Sequence, residues 1–210
     1  MAQQQITGYQ GRSVWYVKFF GVPIDIHKAL MEDGKTALGI MKYAPVRNER
    51  LIRSHWVYAT NGMSERRMPC HERPHGDPKF RVELIAYSES ESPWIVELLC
   101  AMAQYPFVHR SGFSANQTIP VTDPNPHLWD GYLLLTPPVE PDDINPLAVD
   151  IGIGDDWVFH LQVVGLKRQE LAFAIQDGGE AFAERYLPGP GGSDELRRFL
   201  CLDRRRASLL

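Results

Sequence analysis

Cysteine is scarce. The chain has only Cys70, Cys100 and Cys201, an odd number far apart, which excludes a disulfide framework. Long apolar runs are missing too, and none approaches the roughly 18 residues that a membrane-spanning helix needs. The first eleven residues are polar, with Gln3, Gln4 and Gln5 in succession and no apolar core, so they predict no secretory signal. Nor is there a large excess of charge. A formal net charge of −4 gives no broad positive field for a phosphate backbone, which argues against nucleic acid as a partner. These absences point to the cytoplasm, where the Asn116-Gln117-Thr118 sequon is accidental.

What is present is ordinary for a globular chain: 44% hydrophobic and 23% charged residues over a length of 210. The length suits one compact domain. We assign 1–12 to a flexible N-terminus, 13–200 to the domain and 201–210 to a polar tail.

Local patterns give the elements. Residues 13–20 are aromatic and β-branched and predict a strand, ended by Gly21-Val22-Pro23. Asp25 predicts the cap of a short helix through Met31, with Gly34 just past its end. Residues 53–60 alternate as a half-buried strand does, and Asn61-Gly62 supplies the turn. Residues 66–78 carry three prolines and read as an exposed loop. Phe80, Val82, Leu84 and Ala86 define one face of the next strand. Ser92-Pro93 starts a helix in which Trp94, Leu98, Met102 and Tyr105 repeat at helical spacing beside Ile95 and Leu99, and Pro106 is its predicted stop. Residues 132–135 and 157–164 read as strands, the latter with Phe159, Leu161 and Val163 on one face and His160 and Gln162 on the other. A helical stretch follows Gly165, a break falls at Asp177-Gly178-Gly179, a short helix pairs Phe182 with Tyr186, and a last helix starts at Ser193. The fold class is α/β in the α+β sense: a mixed, largely antiparallel sheet covered by helices in a single compact domain.

Four blocks resemble the suppressor of fused family, in its order and spacing. They are residues 55–65 (HWVYATNGMSE), Val82-Glu83-Leu84, residues 94–107 with Glu97-Leu98-Leu99, Ala103-Gln104-Tyr105 and Phe107, and residues 158–166 (VFHLQVVGL) with Glu170-Leu171 following. Gly62 and Gly165 stand where a positive φ and a sharp strand-to-helix turn would use glycine. The resemblance implies a protein-binding module without catalytic residues, bound metal or cofactor. The family's animal members restrain a zinc-finger transcription factor in Hedgehog signalling by clasping an extended peptide between this domain and a second one. Its bacterial single-domain members resemble immunity proteins encoded beside secreted toxins. Because the chain stops soon after the first domain, the resemblance reads it as the bacterial form, with another protein, such as a toxin domain, as partner. It implies a partner-binding region that includes Tyr105, Phe107, Asn116 and Gln117. Two departures alter that region. Asn116-Gln117 stands where the family has Gly-Asp or Gly-His, removing a recognition carboxylate, and Thr136-Pro137-Pro138 replaces Thr-x-Asp-Pro.

Two alternatives stand beside it. Cys70, His71 and His75 offer thiolate and imidazole ligands for a metal- or thiol-dependent enzyme, against the plainer reading of a solvated loop with too few ligands. A non-inhibitory scaffold subunit is the other. Asp142, Asp143, Asp150, Asp155 and Asp156 read as a solvated acidic connection, Cys100 as inert, and Arg204-Arg205-Arg206 as a soluble terminus.

Overall fold

The computed structural model describes residues 13, 16, 17, 20–47, 52–69, 80–121, 129–137, 156–186 and 201–203. The Cys70, His71 and His75 cluster, the acidic positions 142–155, the helix expected from Ser193 and the arginines at 204–206 lie outside the described residues.

Seven strands form one sheet: β1 (Asp25–Leu30), β2 (Ala37–Tyr43), β5 (Trp56–Asn61), β6 (Phe80–Ser88), β9 (Trp157–Leu166), β8 (Gly131–Leu135) and β7 (Thr118–Pro120), in that spatial order. The short strands β3 (Val46–Arg47) and β4 (Ile52–Arg53) make a separate ribbon. Only the β6–β9 pair is parallel, with Leu84 beside Leu161; the other pairs in the sheet are antiparallel. The mixed, largely antiparallel sheet expected from sequence is the one observed.

Strand alternation sends side chains to two covered faces. On one face Leu38, Ile40, Tyr58, Val82, Leu84, Leu161 and Val163 pack against helix α1 (Pro93–His109). On the other, Met41, Tyr43, Val57, Ala59, Ile85 and Tyr87 gather around Tyr16 and Phe20, while Leu133, Leu135, Val164 and Leu166 meet Ala174 of α2 (Arg168–Asp177) and Phe182 of α3 (Gly179–Tyr186). Each face contributes apolar burial at about 25 cal/mol per Å². Cys201 and Leu202, placed in a polar tail by composition, are buried; the Asp203 carboxylate accepts hydrogen bonds from the Glu89 and Ser90 amides at 2.7 and 2.8 Å.

Several local expectations are corrected. Ser13, Tyr16, Val17 and Phe20 are helical rather than extended, and the buried pair Tyr16 and Phe20 repeats at the helical interval of four. Asp25 caps no helix. It begins β1 and accepts the Ile26 amide on Oδ1 at 2.8 Å, while Asp33-Gly34 makes the β1–β2 turn. There Asp33 accepts the Lys35 and Thr36 amides, and the Thr36 hydroxyl with those amides lowers its pKa to about 2. Residues 66–69 are not wholly an exposed loop, because Met68 is buried in the core.

Gly165 also serves a different purpose from the expected one. It lies inside β9, and a Cβ there would meet the Trp129 ring at 2.2 Å. That ring is fixed by its indole N–H, which donates to the Leu202 carbonyl at 2.8 Å, with the Lys167 ammonium 4.7 Å from the ring centre. Gly165→Ala should therefore overpack this corner and lower stability by about 1–3 kcal/mol in chemical denaturation. An unchanged midpoint would show that the ring can move away freely.

Candidate partner-binding site

The helix carrying Tyr105 starts as expected, with Ser92 in extended conformation at the cap and Pro93 in the first turn. The Ser92 hydroxyl does not cap the helix; it lies 3.0 Å from the Ser88 hydroxyl, and the Ser92 amide donates to the Tyr58 phenol at 2.8 Å. The far end departs from expectation. Pro106 does not stop the helix, which continues to His109 with Arg110 in the left-handed region at φ 54°. A proline loses one backbone donor, but here it is buried, and its carbonyl accepts the amides of Arg110 and Ser111, closing the last turn.

The four candidate residues do not share one surface. The half-buried Tyr105 ring lies 4.2 Å from the His109 ring and stacks on buried Phe113, 5.9 Å away at an interplanar angle of 15°. Phe107 instead sits beneath the Arg66 guanidinium, at 4.2 Å, and Arg66 pairs with Glu32 and lies 3.8 Å from Asp33. It therefore faces the β1–β2 turn. Asn116 adopts φ 63°, and its amide donates to the Leu134 carbonyl at 2.7 Å. Gln117 accepts the Ser114 amide on Oε1 at 3.0 Å, and its carbonyl accepts the Leu134 amide at 2.9 Å. These bonds fix the 114–117 turn alongside β8.

Val108 and His109 lie beyond the helix end that the sequence predicts at Pro106. At i+3 and i+4 from Tyr105 they continue its helical face, and both are exposed. Their signal was that spacing, hidden by ending the helix at Pro106. Among the described residues, no group of three or more His, Cys, Asp or Glu side chains is arranged to hold a metal ion. Burial, and then the nearby Glu97, push the Cys100 thiol above its ordinary pKa, which keeps it protonated near neutrality.

A second polar cluster explains two of the sequence blocks. The fully buried Glu83 carboxylate accepts the Gly62 amide at 2.9 Å, the Ser64 amide at 3.1 Å and the Ser64 hydroxyl at 2.7 Å on Oε1, and the Thr60 hydroxyl at 2.5 Å on Oε2. Gly62 is at φ 123°, and a Cβ there would lie 2.1 Å from the Ala37 carbonyl oxygen. Next to it, Arg81 donates to the Ser64 and Glu65 carbonyls at 2.8 Å and to Asp156 at 2.7 Å. Asp156 is therefore no solvated loop acid. Burial would raise its pKa, but hydrogen bonds and charge from Arg67 and Arg81 bring it below the ordinary value. This cluster ties the 62–65 turn to β6 and the start of β9, and it is scaffold.

The sheet, its two covered faces and the carboxylate-held turn define an α+β domain with a half-buried aromatic corner at the end of α1. A family model, Suppressor of fused protein (SUFU), matches residues 23–197, and the chain belongs to that family. Structural likeness agrees. The Sufu-Fu complex crystal structure superposes with TM-score 0.64 at 16% identity, over 96% of this chain and 90% of that one. A structure described as a SUFU homolog from Neisseria gonorrhoeae FA 1090 gives TM-score 0.63 at 16% identity, with 96% of both chains covered. Drosophila Suppressor of Fused gives 0.62 at 18% identity, and the match spans 96% of this chain and 50% of that protein. No curated protein matches significantly. Among the described residues, no helix is long and apolar enough to cross a membrane.

Proposed function

We propose that the chain is a non-catalytic binding module that holds and inhibits another protein one-to-one, as an immunity-type factor in the bacterial cytoplasm, with a toxin domain as partner. The observation that carries this reading is the corner at the end of α1. There the half-buried Tyr105 ring stacks on Phe113 with Val108 and His109 exposed beside it on the helix, and the chain runs on from Phe113 into the hydrogen-bonded Asn116-Gln117 turn beside β8. An aromatic group with apolar backing on a rigid support has the character of an interface hot spot. Family membership supports a binding role, and the relative in the Sufu-Fu complex is a partner-bound example of this fold. The neutral Asn116-Gln117 pair in place of a carboxylate favours a ligand unlike that of the animal proteins. Phe107, covered by Arg66, contributes support more than contact.

The reading requires a toxic domain encoded beside this chain, and that domain is the partner to test. Calorimetry should give a one-to-one complex, and the complex should abolish toxicity. In variants that keep the wild-type circular dichroism, Tyr105→Ala should weaken binding about 30-fold, equivalent to about 2 kcal/mol. Gln117→Arg, which puts a cation on the turn, should weaken it as well. Unchanged affinity in both would place the interface elsewhere.

A further inference from the structure

The two ends of the sheet differ. β7 is a three-residue edge whose Pro120 has no N–H to offer a neighbour. β1 is a six-residue edge, exposed along nearly its whole length. The Met31 amide donates to the Thr36 carbonyl at 2.9 Å, which fixes the phase of the β1–β2 ladder. Odd-numbered residues bond to β2, and Ile26, Lys28 and Leu30 turn their amides and carbonyls outward. The Ile26 amide confirms the phase, because it donates to its neighbour's carboxylate at Asp25 and not to β2. The outward groups of Lys28 and Leu30 have no comparable cap among the described residues.

The side chains on that face are equally open. Ile26 is 36% and Leu30 57% exposed; before the strand Val22 and Ile24 are exposed too, at 75% and 56%, although the Ile24 amide turns inward to the Lys42 carbonyl. Natural edge strands are usually blunted, by a proline, a bulge or a cover. Here the only deterrent among the outward-bonding residues is Lys28, between the two apolar side chains and without an ion pair among the described residues. Lys28 also selects the occupant. Two copies pairing symmetrically through Lys28 would oppose two ammonium groups, whereas an acidic residue of another protein would complement it. We propose that β1 is a docking edge for an extended segment of a partner protein whose residues on the Ile26–Leu30 side run apolar, acidic, apolar. The segment adds as an eighth strand, its backbone pairing with the outward groups of Lys28 and Leu30, and its side chains supply the specificity. This edge is separate from the α1 corner, so the proposal stands or falls independently of that interface.

The probe is a labelled capped peptide, Thr-Val-Thr-Glu-Thr-Val-Thr, compared with the same peptide carrying Lys at its centre, with binding read from amide shifts of the whole chain. The Glu peptide should perturb β1 and bind about fivefold or more tightly than the Lys peptide. Lys28→Glu should reverse that order, which also shows the variant is folded. In protein whose other amide signals match wild type, Lys28→Pro should weaken the Glu peptide about fivefold or more beyond Lys28→Ala, because both lose the ammonium and only proline also loses the outward amide, which the β2 ladder does not use. The proposal is overturned if neither peptide shifts β1, if the two bind equally, or if Lys28→Pro has no effect beyond that of Lys28→Ala. Sedimentation showing a dimer that Leu30→Lys dissociates would assign the edge to a second copy and overturn it too.

Discussion

Replacing Glu83 with alanine should destabilise the domain by about 3–5 kcal/mol, a large share of the roughly 5–15 kcal/mol that stabilises a typical domain. The carboxylate is fully buried and accepts two backbone amides and two hydroxyls from the 60–64 segment. Without it the Gly62 and Ser64 amides lose a buried acceptor, at about 1–3 kcal/mol each. They cannot turn elsewhere, because the turn is pinned by the close approach of Gly62 to the Ala37 carbonyl. Glu83→Gln keeps one acceptor oxygen and should lose less. Urea denaturation measures both, and a loss below about 0.5 kcal/mol for the alanine variant would show that the carboxylate does not hold the turn.

Leu99→Ala should cost about 2–5 kcal/mol, and Leu98→Ala distinctly less. Leu99 is fully buried on the stripe Ile95, Leu99, Met102, Ala103 and Pro106, whereas Leu98 and Trp94 are half-buried at its margin. Deleting the Leu99 side chain removes transfer energy and leaves a cavity beneath the sheet, while the Leu98 site already opens toward solvent. Equal losses in denaturant would mean that the helix packs rotated from this orientation.

The same helix shows what was legible in the sequence. Its start and amphipathic character could be read, because Ser92-Pro93 and the helical spacing act locally. The centre of its buried face was displaced by about one residue, since Trp94 and Leu98 look as apolar as Ile95 and Leu99, and only the sheet decides between them. The cores of β6 and β9 and the break at Gly178 were readable for the same local reasons. β1 was not. Asp25 and Gly34 imitate a helix cap and stop, whereas Gly34 belongs with Asp33 to a hairpin signal, Asp33-Gly34.

Non-local pairing accounts for most of what escaped. Nothing near Asp156 in sequence reveals its partners Arg67 and Arg81, and nothing near Gly165 reveals the ring of Trp129. The helix that carries Tyr105 was legible from its start. Its extent was not, because Pro106 resembles a stop until its carbonyl is seen to accept two amides, and Val108 and His109 then fall onto the Tyr105 face. The separation of Phe107 from Tyr105 follows from the same two residues of helix, which turn the side chains about 200° apart.

The central claim is that the corner from Tyr105 to Gln117 faces the partner. Hydrogen exchange of the chain alone and saturated with its partner protein tests it most directly. The amides of 105–117 should exchange more slowly in the complex, while those of β6 and β9 keep their rates. Unchanged exchange over 105–117, with protection on another surface, would contradict it.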